Sequence, residues 1–556
     1  MIMDTLTKTA LILLFTTSLM SSVSADVAVV NTTKIGPFVG FFADLHQDNQ
    51  TPDIDVAGTD LGWSYQHNGE IKFIFGDTWD DVSWLWGGQL IDGGYDDIYG
   101  SVDLSTWGNP TSFSTSNVPK IRLGQKPNSS APKVINPGHA LDEYKTPIGA
   151  WSNGTQEYGM FFLERAQGCQ TNQQCNAVST ALSCDQGLGW FNLSAPNWQE
   201  PGIMLPCIDG DLFCSANTIW GVPGTGFCVD ETSTMWDTSK TGRASGMAVK
   251  LRVALRSSSA PENYTGQHVD WFTNKFLNSA YTTVQKLVPA NGSYNPGSNN
   301  QNYNVATGAG GNQRVLIFGR PTFIGVNALG RNNGLYFAYA DMPSGNTLDW
   351  TVHFFTGIDP QTGAPLFSTD ESQAIPVDLS STTNTSNPAW EDYDNVGQMS
   401  IVWVDHLNKW VMFYGGGTPA TPVPFFDDCG LLELLMGPEC SYVELGDQPI
   451  VMRTADDPWG PWSEPEVVLV GGDPGLSPPQ DQYAPGGILY HPQCNTSGCQ
   501  AFSPGSGVDD PGVLYGVNIV QPWIDVVDAN QVDLIWNVST WNPYQVWLMR
   551  TRLQAQ

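Results

Sequence analysis

Short runs of aliphatic, aromatic and β-branched residues recur along the whole chain, and Gly, Pro, Asn or Asp bounds each run. The clearest runs are residues 71–75, 158–163, 251–255, 315–318, 335–339, 399–404, 410–414, 513–520, 532–536 and 546–550. This spacing predicts an antiparallel all-β protein. One short stretch, residues 431–436, has a helix-like composition. Because strands do not alternate with helices, doubly wound folds and TIM barrels are not expected.

Several of these runs form predicted hairpins with a shared pattern of strand, polar turn and second strand. Residues 61–65 turn at His67-Asn68-Gly69 into residues 71–75, and residues 399–414 repeat the arrangement. Repeated antiparallel hairpins favour the blades of a β-propeller, in which radial repetition protects the sheet edges. A β-sandwich fits the same pattern nearly as well.

The N-terminus has the features of a secretory signal. A lone Lys8 precedes an apolar run over residues 10–15, and the small residues 23–25 follow. A membrane-spanning helix needs about 20 apolar residues, and polar residues interrupt this run too early. We therefore expect residues 1–25 to be a signal peptide, residues 26–556 to form one domain, and the protein to be secreted to the extracellular space.

The charge of the chain is strongly unbalanced. Lys and Arg number 23 against 55 Asp and Glu, which gives a formal net charge of −32. Such a surface repels phosphate backbones and anionic lipid headgroups, so neither nucleic acid nor a membrane surface is an expected partner. Solubility in an acidic or salty exterior is the simplest reason for the charge, and a neutral polysaccharide remains a compatible partner.

The ten cysteines predict disulfides, because their number is even and a secretion signal precedes them. Six of them crowd residues 169–228 and are expected to staple a loop-rich insertion, with a connectivity that the sequence leaves open. Cys429 with Cys440, and Cys494 with Cys499, are predicted local pairs. The spacings do not fit a zinc finger. No metal or other cofactor is expected, although a structural calcium ion stays open.

Asn-X-Ser/Thr sequons predict a glycoprotein if the host is eukaryotic. In a bacterial host they indicate only polar loops. The sequons lie at Asn31, Asn128, Asn153, Asn192, Asn263, Asn291, Asn384, Asn495 and Asn537.

Two aspartates carry the candidate chemistry. Segments 58–62 (Gly-Thr-Asp-Leu-Gly) and 75–79 (Phe-Gly-Asp-Thr-Trp) place Asp60 and Asp77 at strand ends beside glycine. Since the two strands form one predicted hairpin, both carboxyl groups could face one site. Glycosidic cleavage needs one carboxylic acid to protonate the leaving oxygen and a second carboxylate to activate water or attack. Ordinary turn chemistry is the alternative explanation of both motifs. Motifs of serine hydrolases, phosphate-binding loops and zinc proteases are absent.

Five segments of the sequence resemble one known family, the five-bladed propeller endo-D-arabinanases of glycoside hydrolase family 183, formerly a domain of unknown function. Residues 57–79 resemble its first blade and residues 539–546 its closing strands. The looser matches are Arg320-Pro321, residues 397–400 and residues 410–414. The resemblance spans roughly residues 35–553.

This resemblance implies a five-bladed propeller with disulfide-stapled loop insertions and an inverting, endo-acting hydrolysis of α-D-arabinofuranosidic bonds in D-arabinan. Its acid and base map onto Asp60 and Asp77. Asp60 is favoured as the base and Asp77 as the acid, with the order left open. The expected substrate-binding residues are Trp79, Arg320, Gln398, Trp541 and Asn542. Flat aromatic rings suit the apolar faces of sugars, although most tryptophans are expected to pack the blades.

Three other interpretations stay open. The Cys-rich insertion could reshape the cleft for another glycan, such as L-arabinan or fructan. The propeller could also bind carbohydrate without turnover. Glu391, Asp392 and Asp394 form a further acidic cluster, which is either a solvated loop or the source of a carboxylate that tunes the acid. The sequence leaves the oligomeric state undetermined.

Overall fold

The computed structural model of the protein describes the strands and most of the short turns between them. The described residues are 27–40, 56, 58–76, 78, 97–129, 131–137, 146–166, 168–169, 173, 183–185, 188–192, 204–208, 226–229, 249–273, 275–276, 278–285, 313–320, 335–341, 348, 350–379, 396–416, 449–469, 488, 513–541 and 544–556. The predicted signal peptide and the side chains of the cysteines lie outside them.

The first half of the chain supplies an N-terminal strand, two four-stranded sheets and an insertion. The strands are β1 (Val27–Gly40), β2 (Leu61–His67), β3 (Glu70–Phe75), β4 (Ile98–Asp103), β5 (Arg122–Leu123), β6 (Thr146–Ser152), β7 (Glu157–Ala166), β8 (Gly168–Cys169), β9 (Ser183–Asp185), β10 (Leu188–Asn192), β11 (Met204–Ile208), β12 (Gly226–Val229), β13 (Val249–Leu255) and β14 (His268–Thr273). Strands β2 to β5 form blade 1, and β6, β7, β13 and β14 form blade 2. Strands β8 to β12 make two small sheets within the insertion.

The second half supplies three more blades. The strands are β15 (Asn278–Gln285), β16 (Gln313–Arg320), β17 (Tyr336–Asp341), β18 (Val352–Ile358), β19 (Pro365–Ser368), β20 (Val396–Val404), β21 (Lys409–Gly416), β22 (Ile450–Ala455), β23 (Glu466–Leu469), β24 (Val513–Val526), β25 (Gln531–Trp541) and β26 (Gln545–Ala555). Blade 3 is β15 to β19, blade 4 is β20 to β23, and blade 5 is β24, β25, β26 and β1. The described helices are one short α-helix, Leu104–Trp107, and the 3₁₀ turns Pro110–Ser112 and Glu371–Gln373.

The five sheets close into a ring. The first strand of each blade is innermost, and these strands contact one another in the order β2, β6, β15, β20, β24 and back to β2. Both ends of the chain build blade 5, because β1 pairs with β26 from Val27 opposite Ala555 to Gly40 opposite Gln545. The predicted all-β, five-bladed propeller is therefore confirmed, and the β-sandwich alternative is wrong.

Five apolar clusters fill the five contacts between neighbouring blades. In β3, Ile71 and Phe73 face the blade 5 side, whereas Ile74 faces blade 2. In β16, Ile317 faces blade 2 and Phe318 faces blade 4. Successive side chains of a strand point to opposite faces. Since both faces of each sheet are covered, the strands carry continuous apolar runs instead of strict alternation.

The contact between blades 1 and 2 combines a smaller apolar cluster with a buried polar network. Tyr65 Oη donates to Glu157 Oε1 at 2.9 Å, and Arg256 Nη1 forms an ion pair with the same oxygen. His67 Nδ1 lies 2.8 Å from Ser152 Oγ. Burial lowers the pKa of His67, which favours the neutral ring. The hydrogen bonds of Tyr65 and His67 connect blade 1 to blade 2 near the last residues of β2, and the Glu157–Arg256 ion pair lies within blade 2.

We expect Glu157→Ala to lower the free energy of unfolding by about 3 to 5 kcal/mol, because it leaves the Arg256 guanidinium buried without its counter-ion. The side chains of this pair are only 4% and 16% exposed. Denaturant unfolding followed by tryptophan fluorescence measures the change. The matched control is Asp456→Ala, whose side chain is 74% exposed in a pair with Lys409, and its loss should stay below about 1 kcal/mol. Equal losses in the two variants would contradict the structural role of Glu157.

Candidate active site

The inner strands of blades 4, 5 and 1 begin at the same end of the ring. Gln398 of β20 contacts Gly516 of β24, and Tyr515 of β24 contacts Asp60, which directly precedes β2. We call this end, defined by Gln398, Tyr515 and Asp60, the channel mouth. Further along, Asn518 Nδ2 donates to Ser64 Oγ at 2.9 Å, so β24 and β2 run in the same direction.

In each of the first four blades, the connection between the second and third strand leaves from and returns to the channel mouth, because both of its ends lie at the side where the first strand begins. These connections are residues 76–97, 167–248, 321–335 and 417–449. The connection between β15 and β16 in blade 3, residues 286–312, instead leaves from the opposite end of the ring. Loops that share one face of a repeated scaffold are where binding and catalytic residues concentrate.

Irregular pairing marks the beginnings of the inner strands at this end. Register shifts occur near the first residues of β2, β6, β20 and β24. Strand β15 pairs regularly over its whole length. Bulges re-aim side chains and are common next to active sites. The channel mouth thus has the backbone character of a functional site.

Asp60 is a buried carboxylate at the channel mouth. Its side chain is 8% exposed, and Tyr515 Oη donates to its Oδ2 at 3.0 Å. Its backbone carbonyl accepts the Gly76 N–H at 3.1 Å. A Cβ atom at position 76 would lie only 2.3 Å from Asp60 Oδ1. The carboxyl group therefore occupies the space that any other residue at position 76 would need.

The backbone next to Asp60 is strained and externally braced. Leu61 has a φ of 61°, a left-handed conformation that costs a non-glycine residue about 1 to 3 kcal/mol and is common at functional sites. Ser539 Oγ accepts the Leu61 N–H at 2.7 Å, and Asn537 Nδ2 donates to the Gly62 carbonyl at 2.8 Å. Two side chains of blade 5 thus hold the start of β2.

Two buried threonines connect the segments that carry the predicted aspartates. Thr59 Oγ1 and Thr78 Oγ1 lie 2.8 Å apart, and Thr78 Oγ1 donates to the Gly76 carbonyl at 2.8 Å. Each threonine neighbours one aspartate in the chain. Asp77 itself lies outside the described residues, so its pairing with Asp60 stays a prediction.

The predicted substrate-binding residues differ in what the structure shows of them. Gln398 is half-buried, and its Oε1 accepts the Gly516 N–H at 2.6 Å. Arg320, the last residue of β16, is fully buried, and this burial lowers its pKa to about 9. Trp79, Asn542 and the side chain of Trp541 lie outside the described residues. The substrate-binding role of all five stays a prediction.

Sequence reasoning missed two residues at this end. Tyr515 lies inside a predicted strand, with no local signal that it reaches a residue 455 positions away. Asp97 is fully buried and directly precedes Ile98, the partner of Phe75. In the sequence, the acidic residues around Asp97 indicate a loop. Because Ile98 pairs with Phe75, Asp97 lies next to Gly76, just outside the paired residues of β3 and β4. Only this strand register could have identified Asp97.

Within the part of the chain that the structure describes, no helix has the length and apolar character to cross a membrane. Among the same residues, no three His, Cys, Asp or Glu side chains are grouped so as to hold a metal ion. The acidic cluster of residues 391–394 and the predicted disulfides lie outside the described residues.

Comparison with known proteins gives little further information. No protein-family model and no curated protein matches the sequence. A solved structure described as a "putative hydrolase" from Bacteroides ovatus has a TM-score of 0.36 at 10% identity, covering 90% of this chain and 86% of that chain. A protein of unknown function from Dyadobacter fermentans has a TM-score of 0.31 at 10% identity, covering 95% of this chain and 100% of that chain. At such scores neither likeness bears on activity.

We expect Gly76→Ala to destabilise the protein by about 1 to 3 kcal/mol, as overpacking of a filled site does, because the new methyl group displaces the Asp60 carboxylate. Chemical denaturation measures the loss. Gly415→Ala is the matched control, since Gly415 lies near the end of the second strand of blade 4 and a Cβ atom there meets nothing within 4 Å. A Gly76→Ala protein as stable as the control would contradict the described position of Asp60.

Asn537 should remain unglycosylated although it begins a sequon. It is fully buried, and its Nδ2, the atom that would carry the glycan, donates to Gly62. Asn31 and Asn128 are exposed and should be modified when a eukaryotic host secretes the chain. Glycopeptide mass spectrometry of the folded protein distinguishes the three sites. Occupancy at Asn537 would be incompatible with its hydrogen bond to blade 1.

Proposed function

We propose that the protein is a secreted glycoside hydrolase that cleaves a neutral polysaccharide at the channel mouth. The proposed substrate is D-arabinan, cut internally at α-D-arabinofuranosidic bonds with inversion. The observation that carries the proposal is the buried carboxylate of Asp60, which Tyr515 holds over Gly76 at the channel mouth.

The contacts of Asp60 favour the role of general base. Tyr515 donates a hydrogen bond to Asp60 Oδ2, and a hydrogen bond to a carboxylate favours its charged form. A general base must be ionised before the reaction, whereas the acid must carry a proton. The tyrosine therefore supports Asp60 as base and leaves Asp77 as acid, which is the order that the sequence favoured.

The proposed reaction is a single displacement. Asp60 accepts a proton from a water molecule while the water oxygen attacks the anomeric carbon. Asp77 gives its proton to the departing glycosidic oxygen, so the bond breaks without release of an alkoxide. Exchange with solvent then restores the two protonation states. A mechanism in which one carboxyl group activates water and the other protonates the leaving oxygen requires carboxyl groups roughly 6.5 to 9.5 Å apart.

The surface charge and the neighbouring side chains suit an uncharged glycan. A formal charge of −32 disfavours polyanionic substrates. Aromatic rings at Trp79 and Trp541 would stack on sugar faces. Asn542 and the amide nitrogen of Gln398 would bind hydroxyl groups. The Oε1 atom of Gln398 already accepts the Gly516 N–H, which leaves its amide nitrogen to face the substrate.

Reducing-sugar release from D-arabinan, L-arabinan and fructan tests this function, with D-arabinan expected to give the highest rate. Asp60→Asn preserves the shape of the side chain but removes the base, so turnover should fall by about 10² to 10⁴ while the melting temperature changes little. Asp456→Asn, a surface control, should keep full activity.

Two results would overturn the proposal. Wild-type protein that binds one of these glycans but releases no reducing ends would be a carbohydrate-binding propeller. An Asp60→Asn variant with wild-type turnover would show that the catalytic base lies elsewhere.

A further inference from the structure

We propose that Tyr515 is a positioning residue for Asp60, and that Gln398 sets the position of Tyr515 by holding the bulge of β24. This inference rests on the proposed function. It makes the geometry of the base depend on three blades, since Gln398 belongs to blade 4, Tyr515 to blade 5 and Asp60 to blade 1.

A glycine bulge directs Tyr515 towards Asp60. Tyr515 pairs with Ser539 and Asn518 pairs with Asn537, so Gly516 and Val517 together oppose one residue. Gly516 has a φ of 62°, the left-handed conformation typical of a bulge that begins with glycine. A Cβ atom at position 516 would lie 2.8 Å from Ser539 Oγ. The bulge therefore requires glycine immediately after the tyrosine.

Side chains of β20 fix this bulge from the other side. Gln398 Oε1 accepts the Gly516 N–H at 2.6 Å, and Ser400 Oγ accepts the Ile519 N–H at 2.9 Å. Buried amide groups need such partners. Because inner strands of different blades share no backbone ladder, these two side chains supply the hydrogen bonds that locate β24 against blade 4.

Tyr515 is suited to act through Asp60 and not only through packing. Tyr515 is half-buried and Asp60 is buried, and the tyrosine hydroxyl donates directly to the carboxylate. The 3.0 Å hydrogen bond fixes the orientation of the carboxylate. A base fixed in this way meets its water molecule in one geometry, which is a large part of enzymatic rate enhancement.

The test is the pH dependence of kcat/KM for Tyr515→Phe, which removes only the hydroxyl group. We expect kcat to fall and the acidic limb of the profile to move up by about one pH unit, since loss of the tyrosine hydrogen bond lets the carboxylate bind a proton more readily. Tyr158→Phe is the matched control. Its hydroxyl hydrogen-bonds with Asn153 and Gln156 at the opposite end of blade 2, so its profile should match the wild type.

Gln398→Ala provides an independent variant. If Gln398 positions Tyr515 through Gly516, this variant lowers kcat and moves the acidic limb in the same direction by a smaller amount. An unchanged kcat with an unchanged acidic limb, even if KM rises through loss of a hydroxyl contact, would overturn the positioning role given to Gln398. Circular dichroism and melting temperatures confirm that each variant is folded.

The outcomes separate this inference from the proposed function. Activity in the wild type, loss in Asp60→Asn and an unchanged acidic limb in Tyr515→Phe would leave the hydrolase intact and overturn the positioning role. Absence of turnover in the wild type would overturn the proposed function and, with it, this inference. If the acidic limb of the kcat/KM profile moves up in Tyr515→Phe and the profile of Tyr158→Phe matches the wild type, the result supports both the proposed function and the positioning role.

Discussion

The pairing of β1 with β26 is the constraint on which the rest of the structure depends. It joins the two ends of the described chain through the antiparallel register that begins at Val27 and Ala555. Only a closed ring brings β24 of the last blade against β2 of the first. The hydrogen bond from Tyr515 to Asp60, the braces from Asn537 and Ser539, and the strained start of β2 all lie along that contact. The pairing that closes the ring therefore also brings the residues of the candidate site together.

The five contacts between blades differ in their chemistry. Four are filled mainly by large apolar clusters, and in the blade 5 contact with blade 1 the rings of Phe38, Phe73 and Trp523 pack against one another. The contact between blades 1 and 2 relies in addition on Glu157 and Arg256. A buried ion pair adds little net stability but is costly to break. Arg256 keeps Glu157 in place within blade 2, and Glu157 accepts the hydrogen bond from Tyr65 of blade 1.

Local pattern predicted the blades better than it predicted the site. The predicted strands 71–75 and 410–414 lie within Glu70–Phe75 and Lys409–Gly416, because continuous apolar runs follow from burial of both faces. Strand β1 was missed, since its pairing partner lies at the other end of the chain and residues 30–34 are mostly exposed.

In the candidate site, too, local pattern identified some residues and missed those that depend on distant contacts. Asp60 was identified because glycine flanks it locally and because its segment resembles a family motif. Tyr515 and Asp97 were missed because only tertiary register brings them to the channel mouth. The bulge that aims Tyr515 depends on one extra residue in β24, which periodicity cannot resolve. The pattern of apolar and polar residues likewise does not predict non-local hydrogen bonds such as that between Gln398 and Gly516.

A crystal structure of the Asp60→Asn variant with a bound D-arabinan oligosaccharide tests the central claim most directly. The account predicts that a furanose ring lies at the channel mouth, with its anomeric carbon facing residue 60 across a space that holds one water molecule. Tyr515 should remain beside the substituted side chain. An oligosaccharide bound at the opposite end of the ring, or at the mouth with its anomeric carbons turned away from residue 60, would contradict the account.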